Sequence, residues 1–589
     1  MLTDQQHYAL QQWMRGSLGP VEDSTRYAED AVNALVAMAK TMYVVSEVGA
    51  SPTASAAYNT AAINALIDAA SAAGGGTVFF PPGIYLTSGL TLKANVVLRG
   101  ISERLSLIKL ADNSNVPVIS ASSINTVGLR DLGIDANERN QSSGNYQDVY
   151  FSSCNFVIIK NLRIDRNGDG TKGAVGTAAA LHLAGGSEHV LHDIEVFGND
   201  IGTGVRIQGA DRFEVVNVHV RDMLYILGAD PGDDRIEGVV FNNCNNFSAI
   251  NVRVRNMTGN FPPLGAQTKY TRGITFAACS DWLLESPYVD NADQAIDVTG
   301  SDGNVRFNIN NGLVADCGAY GFKFANSARD GVITNCTANR CGFVAFIVSG
   351  PSESGLAIKS GDLTFVNCAA YDTGSNGVWA GANISGFGVF TSAFDTDTPR
   401  GVRFIDCRAH DRQGTATMKY GFFNQVAAHT DGRYNEAVDC ISIGHTTSAF
   451  EAMNQGRVVV GLSAAQLIPD NTWTLVTWST ETDSGAMYSP SDGQIFARRA
   501  GDYQIAAGVD WEANATGQRG LRLIGNGGVT IQGSTVLVNA SGAGKTNLNV
   551  SWIHEMVAGD EVRVEVFQNS GVSLNISDVF SRAVVEQVS

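Results

Sequence analysis

The sequence predicts an all-β chain: a solenoid of stacked coils, preceded by a short helical region and followed by an antiparallel sandwich. Three observations carry that prediction. A four-residue unit, Asn or Asp then apolar, variable, apolar, recurs nine times from Asp131-Leu132-Gly133-Ile134 to Asp439-Cys440-Ile441-Ser442. Most copies lie 24 to 39 residues apart, and the one long gap holds degenerate copies near Ser286 and Asn311. Beyond Met453 the repeat gives way to alternating runs separated by turn residues. Period-2 alternation specifies strands, regular recurrence specifies a repeat architecture, and each unit can bury its apolar face only against the units above and below it.

A chain of 589 residues is too long for one compact core, but a solenoid lengthens without thickening. The formal charge of −18 argues against nucleic-acid binding and against anionic membranes, and no apolar run reaches the length of a membrane span, so no membrane insertion is expected. Of the nine cysteines, Cys336, Cys368, Cys407 and Cys440 follow the Asn or Asp of the repeat, and Cys154, Cys244 and Cys279 share a second register. No CxxC pair occurs, so they are read as reduced core residues and no metal or other cofactor is expected. Asp165-Arg166-Asn167-Gly168-Asp169-Gly170 matches the start of a calcium loop, but Gly176 stands where the bidentate Glu belongs, which favours a polar turn.

Residues 1–46 read as a helical stub, with Val32, Leu35, Ala39 and Met42 at coiled-coil spacing. The start MLTDQQHYALQQWMRG lacks the basic and apolar regions of a secretory signal. Helix-period alanines from Thr60 to Ala73 then lead into Gly75-Gly76-Thr77-Val78-Phe79-Phe80-Pro81-Pro82-Gly83-Ile84-Tyr85. That segment resembles the N-terminal cap of pectate-lyase-like right-handed parallel β-helices, which implies such a domain over 47–455. Within each coil a second unit, Gly or Ala then apolar, variable, apolar, sends its variable residue outward. Tyr150, His182, Arg206, Val240, Thr275, Asp297, Lys323, Ile347 and Trp379 should thus form an exposed column, one per coil, suited to tracking a polymer. Residues 456–589, with AGDYQIAAGVDW and AGDEVRVEVFQNSG, resemble the jelly-roll head of tumour necrosis factor and complement, which implies a homotrimer.

A β-helix with a helical stub and a jelly-roll tip resembles a bacteriophage tailspike. The resemblance implies a virion protein, made in the host cytoplasm and attached to the phage tail by its N-terminus, that binds and depolymerises a bacterial surface polysaccharide. The expected enzyme is a glycoside hydrolase; a lyase and a non-catalytic receptor-binding spike are the alternatives.

Hydrolysis needs an acid for the leaving oxygen and a second carboxylate for water or carbon. The candidates are Asp293, Glu237 and Asp297. Asn291-Ala292-Asp293 resembles the NTD motif of polygalacturonase-type hydrolases, although Ala319-Tyr320 stands where that family carries paired Asp. Two coils apart, Glu237 and Asp293 would be separated by roughly 9 to 10 Å, the upper edge of an inverting pair, or would flank Arg272 in a surface ion network. Asp297 and Lys323 are expected to pair. His182 over Arg206 is the lyase alternative, a base beside a neutraliser. Substrate binding is assigned to His182, Arg206, Arg272, Lys323, Tyr320 and Trp379. Phe261, Tyr270, Trp282 and Tyr288 are further candidates for stacking on sugars, and Asp230, Asp233 and Asp234 lie in an inserted loop beside Glu237.

Overall fold

The computed structural model describes residues 42–142, 147–166, 179–198, 202–225, 235–259, 270–299, 304–350, 360–375, 382–391, 399–425, 435–451, 457–483, 487–489, 492–497, 501–541, 544–557, 559–579 and 581–587. Among the described residues the chain is all-β apart from the helix Ala56–Ala72 and short 3-10 turns, and it forms two compact units. One comprises residues up to 399 with 408–421 and 441–449; the other comprises 400–407, 422–440 and 450–589.

The first unit is a parallel β-helix. It opens with the helix Ala56–Ala72, started by Ser55, whose Oγ accepts the Tyr58 N–H at 3.3 Å. Ile63, Leu66, Ile67 and Ala70 form its buried face against the first coil. The expected helical stub differs here. Most of it, with Val32, Leu35 and Ala39, lies outside the described residues, but Met42–Val44 is a strand paired parallel to Gly76–Phe79. The first coil would otherwise expose an unpaired strand edge, and Tyr43 and Val44 suit a strand better than a helix.

From Asn125 onward each coil contributes a strand pair bent at the Asn or Asp of the repeat. The bend has a cause that alternation alone does not reveal. Asp131, Asn161, Asp193, Asn217, Asn251, Asn335 and Asn367 all sit in the left-handed region, with φ between 51° and 56°, where Asn and Asp are the best tolerated side chains after Gly. Their side chains then stack: Asn161 Nδ2 donates to Asp131 Oδ1 at 3.0 Å, Asn217 to Asp193 at 2.9 Å, Asn251 to Asn217 at 2.7 Å and Asn367 to Asn335 at 2.8 Å.

The interior is apolar and stacked in register. The Phe213 ring centroid lies 4.5 Å from that of Phe247, Phe276 3.9 Å from Trp282 and Trp282 4.6 Å from Phe307, all stacked nearly parallel. Trp282, a sequence candidate for sugar stacking, is therefore a core residue; only 3% of it is exposed. All nine cysteines are free, eight of them buried and Cys440 partly so.

Among its described residues the second unit carries antiparallel sheets of seven and six strands, built around Gly501–Trp511 and Glu561–Gln568. Alternation along these strands buries Tyr503, Ile505, Val509 and Trp511 from one and Val562, Val564 and Val566 from the other in one core.

Candidate functional site

A second parallel sheet of the first unit runs coil by coil from Leu90–Thr91 to Ser385–Phe390. Its strands align Tyr150, His182, Arg206, Val240, Thr275, Asp297, Lys323 and Ile347 as direct partners. The column ends differently from expectation: Ile347 pairs with Gly388, and Trp379 lies outside the described residues. Three residues earlier on the same strands Thr203, Glu237, Arg272, Gln294 and Tyr320 form a second column. Glycine makes this second column possible. A Cβ on Gly204, Gly238 or Gly273 would come within 2.6 Å of the next coil's carbonyl oxygen, so the close approach of adjacent coils excludes side chains there.

The first column is in register but is not exposed, which corrects the sequence expectation. His182 is 6% exposed, Thr275 2% and Asp297 fully buried. Long charged side chains lie across the sheet and cover it. Arg206 Nη2 donates to Thr203 Oγ1 at 3.0 Å and lies 3.6 Å from Glu237 Oε2. Glu237 Oε1 accepts from Arg272 Nη1 at 3.4 Å and from Thr275 Oγ1 at 3.5 Å. Arg272 Nε is 3.1 Å from Asp297 Oδ2, and Lys323 Nζ is 3.3 Å from Asp297 Oδ1 and 3.2 Å from Gln294 Oε1. Lys323 also lies 5.9 Å from the Tyr320 ring centroid. Charge thus alternates over five coils, Arg206, Glu237, Arg272, Asp297, Lys323, with one more cation than carboxylate in a chain of net charge −18.

Asp293 stands apart from this strip. Its Oδ2 accepts the Thr271 N–H at 2.8 Å and the Thr271 hydroxyl at 3.2 Å, and its own N–H donates to Thr271 Oγ1 at 2.8 Å. Its carbonyl accepts from Ala319 and Tyr320 of the next coil. The expected network in which Glu237 and Asp293 flank Arg272 is replaced by one in which Glu237 and Asp297 flank it, because Thr271 already satisfies Asp293. Burial raises the Asp293 carboxyl above the usual carboxylate range, partly offset by the Thr271 bonds.

At the N-terminal end of the column the His182 ring lies 5.3 Å from the Tyr150 ring. Burial, and then the Arg206 charge, lower its pKa to about 4 against the opposing effect of the Gln208 side chain, so the imidazole is neutral at neutral pH. Tyr150 was visible in the sequence only as a column position. Asp148, just before it, belongs to a buried cluster with no sequence signal: Arg166 Nε donates to Glu138 Oε1 at 2.9 Å and lies 3.2 Å from Asp148 Oδ2. Burial raises the Asp148 carboxyl, against the pull of Arg166.

Among the described residues no group of three or more His, Cys, Asp or Glu is placed to hold a metal. The calcium-like loop from Asn167 on, the acidic loop at Asp230, Asp233 and Asp234, Phe261 and the Tyr270 side chain lie outside them. Two surface grooves, of about 500 and about 370 Å³, lie on other faces of the coil and contain no residue of the strip.

Residues 43–225 match the family model described as rhamnogalacturonase A/epimerase, pectate lyase-like. That stretch contains Tyr150, His182 and Arg206 and stops short of Glu237, Asp293 and Asp297. The chain is 41% identical over 93 residues to mannuronan C5-epimerase AlgE6 of Azotobacter vinelandii, which is 13% of this chain and 11% of that protein. It is 36% identical over 96 residues to alginate lyase 7 of the same organism, 14% of this chain and 11% of that one. The chain thus spans about a tenth of the length of these curated relatives. Among solved structures it is similar to the A-module of the same AlgE6 epimerase, at 16% identity and TM-score 0.36, over 69% of this chain and 95% of that one.

Proposed function

We propose that this chain acts on an acidic polysaccharide by removing the proton next to a uronate carboxyl, the step shared by elimination and C5 epimerisation, at Tyr150, His182 and Arg206. One observation supports this most: a neutral His182 ring placed between Tyr150 and Arg206 on successive coils, inside the stretch that matches the rhamnogalacturonase A/epimerase, pectate lyase-like family model.

A carbon-bound proton beside a carboxylate leaves only if the charge that builds up is offset, and Arg206 is the cation at that position. His182, being neutral, accepts the proton on a ring nitrogen. A carboxylate docked on Arg206 cancels the push that this guanidinium exerts on the imidazole, so substrate binding itself strengthens the base. The electron pair left by the proton delocalises into the carboxyl group. It then either expels the neighbouring glycosidic oxygen, which takes up a proton as it leaves behind a double bond, or is reprotonated by water from the opposite face. Tyr150, whose ring lies 5.3 Å from that of His182 on the same face of the sheet, has a hydroxyl able to protonate the departing glycosidic oxygen. Lys323, partly exposed, offers a cation for a further carboxylate of the polymer, while Arg272, buried between Glu237 and Asp297, holds the strip together.

Hydrolysis by Asp293 with Glu237 or Asp297 is the second reading. It is favoured by the raised pKa of Asp293, as a general acid requires. The setting inferred for either reading is a trimeric phage tailspike acting on bacterial surface polysaccharide. The succession of parallel coils and antiparallel sandwich, and nine free cysteines, support it.

Incubation with polyuronates and with neutral glycans, followed by ultraviolet absorbance, reducing ends and deuterium uptake from heavy water, separates the readings. Elimination gives unsaturated ends, epimerisation gives deuterium without new ends, and hydrolysis gives ends without absorbance. Loss of the first two in His182→Ala, with Asp293→Asn active, is the expected result. A polymer cut by His182→Ala but not by Asp293→Asn would sink the first reading.

A further inference from the structure

The strands that follow the Asn bend carry a second candidate surface, away from the charged strip. His219, Arg253, Tyr288 and Leu313 are direct partners on successive coils, with Arg221, Arg255 and Asp290 in the adjoining column. His219, Arg253, Arg255, Tyr288 and Leu313, together with Asn251 and Asn311, line a groove of about 370 Å³. We propose that this groove is a second, non-catalytic binding site for a carboxylate-bearing glycan segment, with Arg253 as the carboxylate ligand and Tyr288 as the sugar platform.

Arg253 is the first reason. Arg255 holds Asp290 at 2.8 Å, Arg306 holds Asp281 at 2.7 Å and Arg412 holds Asp372 at 2.6 Å. The exposed Arg253 donates to the amide oxygen of Asn251 at 2.9 Å, and no carboxylate pairs with it among the described residues. An exposed guanidinium with no carboxylate partner is open to a ligand, and its remaining N–H groups present the fork that grips a carboxylate at two points. The positive field is felt locally: the His219 pKa is lowered by burial first, then by Arg221, with Glu195 opposing and Arg255 and Arg253 adding to the shift.

The second reason is that the platform is already built. Tyr288 Oη donates to Asp290 Oδ2 at 2.9 Å, and the Arg255 guanidinium lies 5.6 Å from its ring centroid, so the ring is held from two sides before any ligand arrives. Leu313, 40% exposed, continues the apolar surface on the next coil. An apolar plane flanked by an unneutralised cation and a row of amides suits a sugar ring that carries a carboxylate, with Asn251 and Asn311 facing its hydroxyls. Successive coils are roughly 4.8 Å apart, close to the length of one sugar unit, so neighbouring sugars would meet neighbouring coils. The site does not depend on the chemistry proposed for His182, and it would hold a polymer in place whichever reaction the strip performs.

Binding of an end-labelled oligogalacturonate to the full chain, measured by fluorescence anisotropy beside a neutral cello-oligosaccharide of the same length, tests this. Arg253→Gln should weaken the acidic probe at least tenfold and Tyr288→Ala several-fold, with thermal melting unchanged for Arg253→Gln because its side chain is exposed. The neutral probe should bind far more weakly to every form. Wild-type affinity in Arg253→Gln, or equal binding of the neutral probe, overturns the proposal. So does a change of mass in light scattering on Arg253→Gln, because the groove would then be a contact between copies of the chain.

Discussion

Arg272 Nε lies 3.1 Å from Asp297 Oδ2, and the Asp297 side chain has no exposed surface. A carboxylate so buried is tolerable only because cations reach it, and those cations are in turn desolvated by the same packing. Removing the anion strands Arg272 and Lys323. Asp297→Ala should therefore cost about 3–5 kcal/mol, read as a lowered urea midpoint. Asp297→Asn, which keeps the volume and one acceptor, should cost less. Equal midpoints for Ala and wild type would remove the network from any account of stability.

Acid sensitivity follows from two buried imidazoles. Burial lowers the pKa of both His182 and His189 to about 4, with Arg206 adding to the shift of His182. Both rings bind protons more readily unfolded than folded, so their contribution is complete above the unfolded pKa near 6.5. It is lost as pH falls through about 4. Each shift corresponds to about 3 kcal/mol at most. The melting temperature should fall between pH 6.5 and 4, and His189→Asn should flatten that fall. An unchanged pH profile in that variant would exclude His189 as a source.

The bend of each coil gives a sharper test of why the repeat begins with Asn or Asp. Asn217 has φ 54°, donates to Asp193 and accepts from Asn251. Asn217→Ala loses both bonds and strains the left-handed backbone, a combined loss of about 2 kcal/mol. Asn217→Gly loses the same bonds without the strain and should be the more stable variant by about 1 kcal/mol. If alanine and glycine melt together, the left-handed geometry is not what selects the residue.

How much of this was legible in the sequence depends on which physical effect carried the signal. Alternation fixed the inward and outward residues, so the partners His182, Arg206, Thr275, Asp297 and Lys323 could be aligned from spacing alone. Burial could not, because whether a column is open depends on how far side chains from neighbouring coils reach across it, and the reach of Arg272 over Asp297 leaves no periodic trace. The partner of Asp293 was hidden for a related reason. Its motif resembles a hydrolase signature, but the adjacent Thr271 supplies two donors that turn its carboxylate toward the backbone. The Asn or Asp of the repeat recurs in register, which brings its side chains together between coils as the ladder displays. Its left-handed φ, the reason those residue types are required, is invisible to alternation.

Arg206 offers the most direct test of the proposed chemistry, because charge and shape can be varied separately there. The residue adjoins the neutral His182 ring and lies 3.6 Å from Glu237, so any substitution touches both the base and the strip. Arg206→Lys keeps a cation but loses the two-point grip on a carboxylate, and it should raise KM for a polyuronate more than it lowers kcat. Arg206→Gln removes the cation that offsets charge building up on the carboxyl, and kcat should fall by about 10²–10³. Loss of the positive neighbour should also raise the His182 pKa, moving the acid limb of the rate profile to higher pH. A merely structural role for Arg206 would lower activity on all substrates alike and leave that limb in place. Rate measurements across pH for the Lys and Gln variants, on uronate and neutral polymers, distinguish the two. An Arg206→Gln enzyme with undiminished kcat on polyuronate would remove Arg206 from the reaction and leave the hydrolytic reading to account for the site.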